Sequence, residues 1–348
     1  MALQAAVIGC GRPWKADGST GFGMSHKHVL ALQKLGVEVV AAADISQENA
    51  RAFGEQHGIS RLYSDYNEML GSQKFDWVSI CTWPFLHAPM TIAAARSGAR
   101  AIHCEKPMAP SWGEARAMVE ACAASGTQLT FNHQRRFGTP FQQAKKLLDE
   151  GAIGELKRME AQCGDMFDWG THWLDMQFFF NNETPAEWVM GQVELRGAHK
   201  TFGAPIEGQG LCQYRLKNGV VATLLTGNGQ GGAPNHRLLG TEGIMELGAQ
   251  GAHLRLMNAR SNGWKVIEGG SENDGIHGDV HIDRGIADAI DALQNHRKPL
   301  LSADNALQAT EIIFATYESS RRGGRVDLPL DVDDSALATR LAAAGIEL

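Results

Sequence analysis

The composition of this chain excludes several classes of protein. It has 348 residues, of which 43 % are hydrophobic and 20 % charged, and its formal net charge is −7. Such a length and balance predict a soluble globular protein with two domains. The scattered lysines and arginines argue against nucleic acid or an anionic membrane as a partner. No apolar run approaches the roughly 18 residues of a membrane span.

The cysteines and the start of the chain favour a cytoplasmic location. The six cysteines form no C-x-x-C pair, and several lie in apolar runs typical of strands. We therefore expect reduced thiols in the core rather than a disulfide framework. The chain enters its first predicted strand within a few residues, so we also expect no signal peptide.

Residues 3–44 have the pattern of the first βαβ half of a dinucleotide-binding fold. An apolar strand (3–8) leads into Gly9-Cys10-Gly11, then a helix from about 25 to 34, a second strand (37–43) and Asp44. Gly9 allows a sharp turn, and Gly11 allows a pyrophosphate to approach the backbone. The alternative is a plain structural turn between strand and helix.

The third glycine of this pattern is displaced. Position 14 is Trp14, whereas Gly23-Met24 opens the helical pattern and lies 21 residues before Asp44, near the expected twenty. We therefore predict that Gly23 is the third glycine and that extra residues are inserted within 12–22. The amides at the start of the helix would then face the phosphates.

Asp44 indicates which dinucleotide is bound. Its carboxylate would accept hydrogen bonds from the adenosine ribose and repel a 2′-phosphate, and Ile45 and Ser46 offer no cation. NAD is therefore favoured over NADP. The alternative is that Asp44 only caps the helix that follows it.

The rest of the chain predicts an α/β protein of two domains. Alternating strands and helices to about residue 132 indicate a doubly wound parallel sheet. Later strand-like runs, with hairpin signals at 217–219 and 262–263, indicate an α+β domain with a large, mainly antiparallel open sheet. We predict an NAD-binding Rossmann domain over 1–130 and a substrate and oligomerisation domain over 131–348. Part of 282–348 is expected to pack back on the first domain.

Polar side chains follow three of the predicted parallel strands, where ligands bind in such sheets. These residues are Thr82, Trp83 and His87, then Glu105 and Lys106, then His133 and Arg135. A lysine directly after a buried strand is unusual because burying an ammonium is costly. Beside a nicotinamide it suits proton relay. The alternative is a Glu105–Lys106 surface pair before a turn set by proline.

A second candidate group lies at Asp168-Trp169-Gly170-Thr171-His172. On a helix, Asp168 and His172 would share one face, and a carboxylate beside an imidazole favours a general base. The alternatives are two ligands of a metal, or a capping Asp with an inert His. No further ligand has suitable spacing, so we expect no metal. Asp175 is predicted to be structural.

Taken together, these motifs resemble the Gfo/Idh/MocA oxidoreductase family, which includes glucose–fructose oxidoreductase and myo-inositol dehydrogenases. The resemblance covers most of the chain. It rests on Gly9-Cys10-Gly11, Gly23-Met24-Ser25-His26, Asp44, Cys81-Thr82 with His87, Glu105-Lys106-Pro107, Arg135-Arg136-Phe137, Gly151-Ala152-Ile153-Gly154, Asp168-Trp169-Gly170-Thr171-His172 and Gly240-Thr241-Glu242-Gly243.

The resemblance implies roles for individual residues. It makes Lys106 and His172 the proton-handling pair and Asp168 the partner that orients them. Cofactor contacts are expected from Gly9, Gly11, Arg12, Gly23, Met24, Asp44, Thr82, Trp83, His87, Glu105 and Lys106. Substrate contacts are expected from Lys106, His133, Arg135, Asp168, Trp169 and His172. The insertion after Gly11 departs from typical members.

The predicted function is hydride transfer between a sugar or cyclitol hydroxyl carbon and NAD, with Lys106 and His172 as the acid–base pair. One alternative is a glycoside-cleaving enzyme that oxidises its substrate transiently and recycles a tightly held NAD. An insertion containing Trp14 would serve such an enzyme as a clamp. Another alternative is a non-catalytic NAD-binding protein. We expect a small-molecule partner and a homo-oligomer, dimer or tetramer, formed through the C-terminal sheet.

Overall fold

The computed structural model describes residues 2–13, 15–17, 21–227, 233–249 and 251–348. The chain divides into two compact units. The first comprises Met1–Pro110, Glu114–Gln134 and Ile282–Asp304. The second comprises Ser111–Gly113, Arg135–His281 and Asn305–Leu348. In the described part of the chain, no helix has both the length and the apolar character that crossing a membrane requires.

The first unit is built on a six-stranded parallel sheet with the order β3-β2-β1-β4-β5-β6. Its strands are β1 (Gln4–Ile8), β2 (Glu38–Ala43), β3 (Arg61–Tyr63), β4 (Trp77–Ile80), β5 (Ala101–Cys104) and β6 (Gln128–Phe131). The helices between them are α1 (Met24–Lys34), α2 (Gln47–His57), α3 (Tyr66–Ser72), α4 (Pro84–Arg96) and α5 (Trp112–Ser125). Strands β4 and β5 are buried along their whole length, because helices cover both faces of such a sheet.

The second unit contains a nine-stranded sheet with the order β16-β15-β14-β13-β7-β12-β11-β8-β17. Its neighbours pair antiparallel except β7 with β12. In chain order the elements are α6 (Thr139–Asp149), β7 (Leu156–Cys163), α7 (Gly170–Phe180), β8 (Ala186–Glu194), β9 (His199–Thr201), β10 (Ala204–Ile206), β11 (Gln209–Leu216), β12 (Val221–Thr226), β13 (His236–Gly240), β14 (Gly243–Ala249), β15 (Ala252–Asn258) and β16 (Lys265–Val266). Strands β9 and β10 form a separate pair.

The chain then runs through α8 (Val280–Asn295), α9 (Ala303–Arg322), β17 (Val326–Asp327) and α10 (Ala336–Ala343). The apolar residues of α8 repeat at helical spacing and join the core of the first unit with Val7 and Val29. Those core positions of α8 are Ile282, Ile286, Ala289, Ile290 and Leu293. Full burial of an aliphatic side chain of this size stabilises the fold by about 1.5–3 kcal/mol.

Side chains alternate between the two faces of the larger sheet. In β11, Cys212, Tyr214 and Leu216 are buried, whereas the residues between them are exposed. Helix α7 packs against β7 and β12 and is buried along its whole length. The predicted α/β fold, with a parallel first sheet and a mainly antiparallel second sheet, is confirmed.

Candidate active site

The glycine turn after β1 has the shape that a dinucleotide requires. Gly9 has φ +87°, and a Cβ there would lie 2.8 Å from the carbonyl oxygen of Cys81, so no side chain fits. Gly11 has φ +57°, but a Cβ there would meet nothing within 4 Å. Gly11 therefore faces open space, into which a phosphate can approach the backbone. The turn at Gly9 and Gly11 therefore fits the pyrophosphate of the dinucleotide that the motif predicts.

Gly23 begins the helix, as predicted from its spacing. It is the N-cap of α1 with φ 63° and ψ 39°, and no side chain caps the helix. The hydroxyl of Ser25 donates a hydrogen bond to the carbonyl of Cys10, which ties the start of α1 to the glycine turn. The start of α1 therefore lies beside the turn, where its amides can serve an anion. Trp14 and residues 18–20 of the insertion lie outside the described residues, and so does the proposed Trp14 clamp.

Asp44 closes the turn from the end of β2. Its Oδ2 accepts hydrogen bonds from the amides of Cys10 (2.8 Å) and Gly11 (3.1 Å), and its Oδ1 accepts one from the amide of Ser46 (2.8 Å). A carboxylate has about four acceptor sites, so it retains capacity for a ribose hydroxyl. The N-cap of α2 is Ser46, whose side chain accepts from the amide of Asn49. The alternative that Asp44 is the cap is therefore wrong.

Glu105 is a buried anchor at the end of β5. Its Oε1 lies 3.0 Å from His28 Nε2 and accepts a 2.7 Å hydrogen bond from the side-chain Nδ2 of Asn132. Burial alone would raise the pKa of Glu105, but hydrogen bonding and charge from His28, the Asn132 hydrogen bond and the charge of Lys106 lower it to about 2. Glu105 is only 7 % exposed, so the alternative of a Glu105–Lys106 surface pair is wrong.

His28 extends this cluster to the end of β4. Its Nδ1 lies 3.4 Å from Cys81 Sγ. The two ring nitrogens of His28 therefore connect the ends of β4 and β5. Burial raises the pKa of Cys81 well above its usual value, which keeps that thiol protonated. Lys106, which follows Glu105 directly, is half-buried and joined to Pro107 by a cis peptide bond.

His87 and Trp83 differ in exposure. His87 is fully buried, with Nδ1 2.8 Å from the carbonyl of Pro107 and Nε2 3.1 Å from that of Thr82. It therefore links the loops after β4 and β5, and its contact with a cofactor stays a prediction. Trp83, the N-cap of α4, is 42 % exposed. His133, just after β6, is buried.

In the second unit, Asp168 does not lie on the predicted helix. Helix α7 begins at Gly170, and Asp168 lies in the turn before it. Asp165 holds this turn in place. Its side-chain Oδ1 accepts hydrogen bonds from the backbone amides of Asp168 (2.5 Å) and Trp169 (3.2 Å), and its backbone carbonyl accepts one from the amide of Gly170 (2.8 Å). The prediction that Asp168 and His172 share one face of a helix is wrong. His172 lies in the first turn of α7 and is buried.

A buried carboxylate pair that sequence reasoning missed supports this turn. Glu207 accepts hydrogen bonds from the amide of Met166 (2.7 Å) and the hydroxyls of Thr226 (2.8 Å) and Tyr317 (2.9 Å). Burial raises the pKa of Asp165 to about 6, and the negative charges of Asp168 and Glu207 add to the effect. The one local signal in the sequence for this support was Asp165, an acidic residue three positions before Asp168.

Arg135 lies in an aromatic setting in the second unit. Its guanidinium carbon lies 4.6 Å from the ring centre of Trp173 and 5.6 Å from that of Trp169. Nη1 donates to the carbonyl of Ile276 and lies 2.9 Å from His277 Nδ1. Burial lowers the pKa of Arg135 to about 9, although the charges of Cys163 and Asp168 oppose this. Trp169 is 40 % exposed, whereas Trp173 is in the core.

Arg136 has a structural role. It forms a bidentate pair with Asp175, at 2.7 and 2.8 Å, and a further pair with Glu183 at 2.5 Å. Arg136 and Asp175 are both buried. The predicted structural role of Asp175 agrees with this pairing. Among the residues that the structure describes, no group of three or more His, Cys, Asp or Glu side chains is placed to hold a metal ion.

The predicted site residues fall into two sets. The first unit holds Lys106, His133 and the predicted cofactor contacts Gly9, Gly11, Arg12, Gly23, Met24, Asp44, Thr82, Trp83, His87 and Glu105. The second unit holds Arg135, Asp168, Trp169 and His172. Within the first unit, the glycine turn, Asp44 and the start of α1 are joined by the hydrogen bonds described above.

Comparison with known proteins supports the family that the motifs predict. Residues 3–133 match the family model GFO_IDH_MocA, described as an oxidoreductase family with an NAD-binding Rossmann fold. D-apiose dehydrogenase of Paraburkholderia graminis is 26 % identical over an alignment that covers 94 % of this chain and 90 % of that protein. Residues 3–133 therefore carry the NAD-binding Rossmann fold of the Gfo/Idh/MocA oxidoreductase family. These residues make up most of the first unit.

Two further similar proteins show the extent of the likeness. Inositol 2-dehydrogenase of Salmonella typhimurium is 29 % identical over 44 % of this chain and 44 % of that protein. A crystal structure of an oxidoreductase from Agrobacterium radiobacter, in complex with NAD+, L-tartaric acid and magnesium, superposes with a TM-score of 0.78. It is 22 % identical and covers 94 % of this chain and 98 % of that chain, which shows the fold alone.

Proposed function

We propose that this protein is an NAD-dependent dehydrogenase that acts on a hydroxyl carbon of a sugar or cyclitol. The observation that carries the proposal is the first unit's glycine turn, which is open at Gly11 and closed by Asp44, together with Lys106 directly after the anchored Glu105. Relatives named D-apiose dehydrogenase and inositol 2-dehydrogenase support a carbohydrate or cyclitol substrate.

The residues of the first unit would hold the cofactor. Gly11 would admit the pyrophosphate, the amides at the start of α1 near Met24 would serve it, and Asp44 would accept from the adenosine ribose. Bound NAD would accept the hydride at C4 of its nicotinamide. Glu105, held by His28 and Asn132, anchors the chain at the residue before Lys106, whose ammonium would handle the substrate proton.

Lys106 and His172 are the proposed acid–base pair. In oxidation His172 would remove the hydroxyl proton with the help of Lys106, and Asp168 would orient them. Asp165 supports this assignment, because it holds the turn that carries Asp168 and leads into His172. Arg135 and Trp169, which lie near each other in the second unit, are proposed to contact the substrate.

The pair is tested by substitution with NAD binding as a second readout. Lys106→Met and His172→Ala should each lower kcat at least about 10²-fold while the dissociation constant for NAD+ stays within about threefold. The double variant should lose little more than either single variant, because residues that act as a unit are not additive. The matched controls are Lys74→Met and His199→Ala, both exposed. Normal turnover in either site variant would refute the assignment.

The glycoside-cleaving alternative stays a prediction. Its only support was a clamp by Trp14, which lies outside the described residues. It predicts release of an aglycone without net NADH, whereas the proposed dehydrogenase predicts stoichiometric NADH. The same substrate panel can therefore decide between them.

We also propose a homo-oligomer formed through the outer face of the larger sheet. Leu211 and Leu225 pair across β11 and β12 and are each about half exposed, and Met190 is exposed on β8. The adjoining hollow of about 490 Å³ is lined by these leucines with Arg158, Arg237 and Pro234. An exposed apolar patch of this kind is typical of a protein interface.

The oligomer is tested by light scattering after size exclusion. The unmodified protein should be a dimer or tetramer, and Leu225→Glu should shift it toward the monomer. Leu30→Glu, an equally exposed leucine on α1, should not. A monomeric unmodified protein would refute the proposal.

We further propose a cytoplasmic location, because all six cysteines are free thiols. Recovery of the native protein from an oxidising compartment would contradict this location.

A further inference from the structure

Arg12 leaves the glycine turn and reaches the first turn of α2. Its Nη2 lies 2.6 Å from Glu48 Oε1, its Nε donates to Asn49 Oδ1 at 3.1 Å, and its Nη1 donates to the carbonyl of Asp17 at 3.0 Å. The sequence favoured NAD because the Asp44 carboxylate would repel a 2′-phosphate and no cation follows β2. The structure brings a cation there from the turn after β1.

These contacts close a ring around the end of β2. The amide of Gly11 donates to Asp44, the same carboxylate accepts from the amide of Ser46, and Ser46 accepts from the amide of Asn49. The side chain of Asn49 accepts a hydrogen bond from Arg12, which completes the ring. In a Rossmann fold the ribose of the adenosine binds at this strand end, where an arginine accommodates a 2′-phosphate.

Glu48 determines the charge that a 2′-phosphate would meet. The carboxylate of Glu48 compensates the positive charge of Arg12, so a 2′-phosphate would face the carboxylates of both Glu48 and Asp44. The Glu48 side chain is 80 % exposed and that of Arg12 31 %. An exposed ion pair of this kind is worth only about 0.2–1 kcal/mol. Removing the Glu48 charge would therefore free Arg12 at little cost to folding.

We propose that Glu48 is a specificity-determining residue for the cofactor. By holding Arg12, it keeps a latent 2′-phosphate site closed and makes NAD the preferred dinucleotide. The inference rests on dinucleotide binding by the first unit, and it does not depend on the proposed sugar substrate or on the Lys106–His172 pair.

The test measures binding by calorimetry on the full chain, with NAD+, NADP+, ADP and 2′,5′-ADP as ligands. Glu48→Gln should tighten NADP+ and 2′,5′-ADP by about five- to tenfold and change NAD+ and ADP by less than twofold. The gain should shrink in high salt because the new contact is ionic. Arg12→Met added to Glu48→Gln should abolish it.

Glu55→Gln is the matched control. Glu55 is an exposed glutamate on the same helix, seven residues further on, which is about 10 Å along the axis and beyond a Debye length. It should leave NADP+ binding unchanged. An unchanged NADP+ affinity in Glu48→Gln, an equal gain in Glu55→Gln, or a gain that survives Arg12→Met would overturn the proposal. If the unmodified protein bound no dinucleotide at all, the cofactor assignment itself would fail.

Discussion

Replacing Glu105 by glutamine should destabilise the first unit in a pH-dependent manner. The Glu105 carboxylate is buried and accepts from His28 and Asn132. Both contacts are made to Oε1, so glutamine can keep the acceptor oxygen, but the two hydrogen bonds lose the carboxylate charge that strengthens them. Hydrogen bonds to a buried charge are worth about 1.5–3 kcal/mol each. We expect Glu105→Gln to lower the free energy of unfolding by about 2–4 kcal/mol at neutral pH.

The pKa of Glu105 sets the pH range of the effect. Its folded-state pKa is lowered from 4.5 to about 2, so its stabilising contribution is full above about pH 5 and is lost as the pH falls toward 2. The shift corresponds to about 3 kcal/mol in total. About 1.4 kcal/mol of this is lost between pH 7 and about pH 3.5, where the unfolded chain binds the proton first. The difference in the free energy of unfolding between wild type and Glu105→Gln should therefore narrow by that amount over the same pH range.

Urea unfolding at pH 7, 5 and 3.5 checks this prediction, with Glu38→Gln as control. Glu38 is an exposed carboxylate in the same unit, and its replacement should change stability by less than about 0.5 kcal/mol. A loss in Glu105→Gln as small as that of the control would refute the account of the buried cluster. So would a gap that stays the same size at pH 3.5.

Two further predictions follow from the turns. Gly11→Ala should lower the free energy of unfolding by about 1–2 kcal/mol, the cost of a positive φ for a residue with a side chain. It should also weaken NAD+ binding, measured by calorimetry, at least about tenfold, because the new Cβ occupies the space that a phosphate needs. Gly36→Ala, also at positive φ with open space, should match its stability loss without the binding loss; equal NAD+ affinities in the two variants would contradict this. Asp165→Asn should flatten the pH profile of thermal stability: the folded-state pKa of about 6 lies above the unfolded value of 3.8, so wild type loses stability as pH rises through 6. If the melting temperatures of wild type and Asp165→Asn change in parallel from pH 4 to 8, this prediction is wrong.

Local signals in the sequence were sufficient for the fold and for the start of the cofactor site. The burial of β4 and β5, the position of Gly23 as N-cap of α1, and Asp44 at the end of β2 follow from periodicity and spacing along the chain. Such features depend on near neighbours, which a sequence pattern records directly.

The pairings that the sequence does not indicate depend on long-range partners. His28 and Glu105 lie 77 positions apart in the chain, and nothing local indicates that they pair. Arg12 reaches Glu48 across 36 positions. The misplacement of Asp168 has a local cause, because the Asp165 carboxylate competes for the amides that a helix over 168–172 would use.

The most direct test of the dehydrogenase assignment is a panel of sugars, cyclitols and aryl glycosides, incubated with the protein and NAD+ while NADH and released aglycone are followed together. We predict that at least one free sugar or cyclitol gives one NADH per molecule consumed, with no aglycone from any glycoside. Release of aglycone without accumulation of NADH would contradict the assignment and favour the glycoside-cleaving alternative.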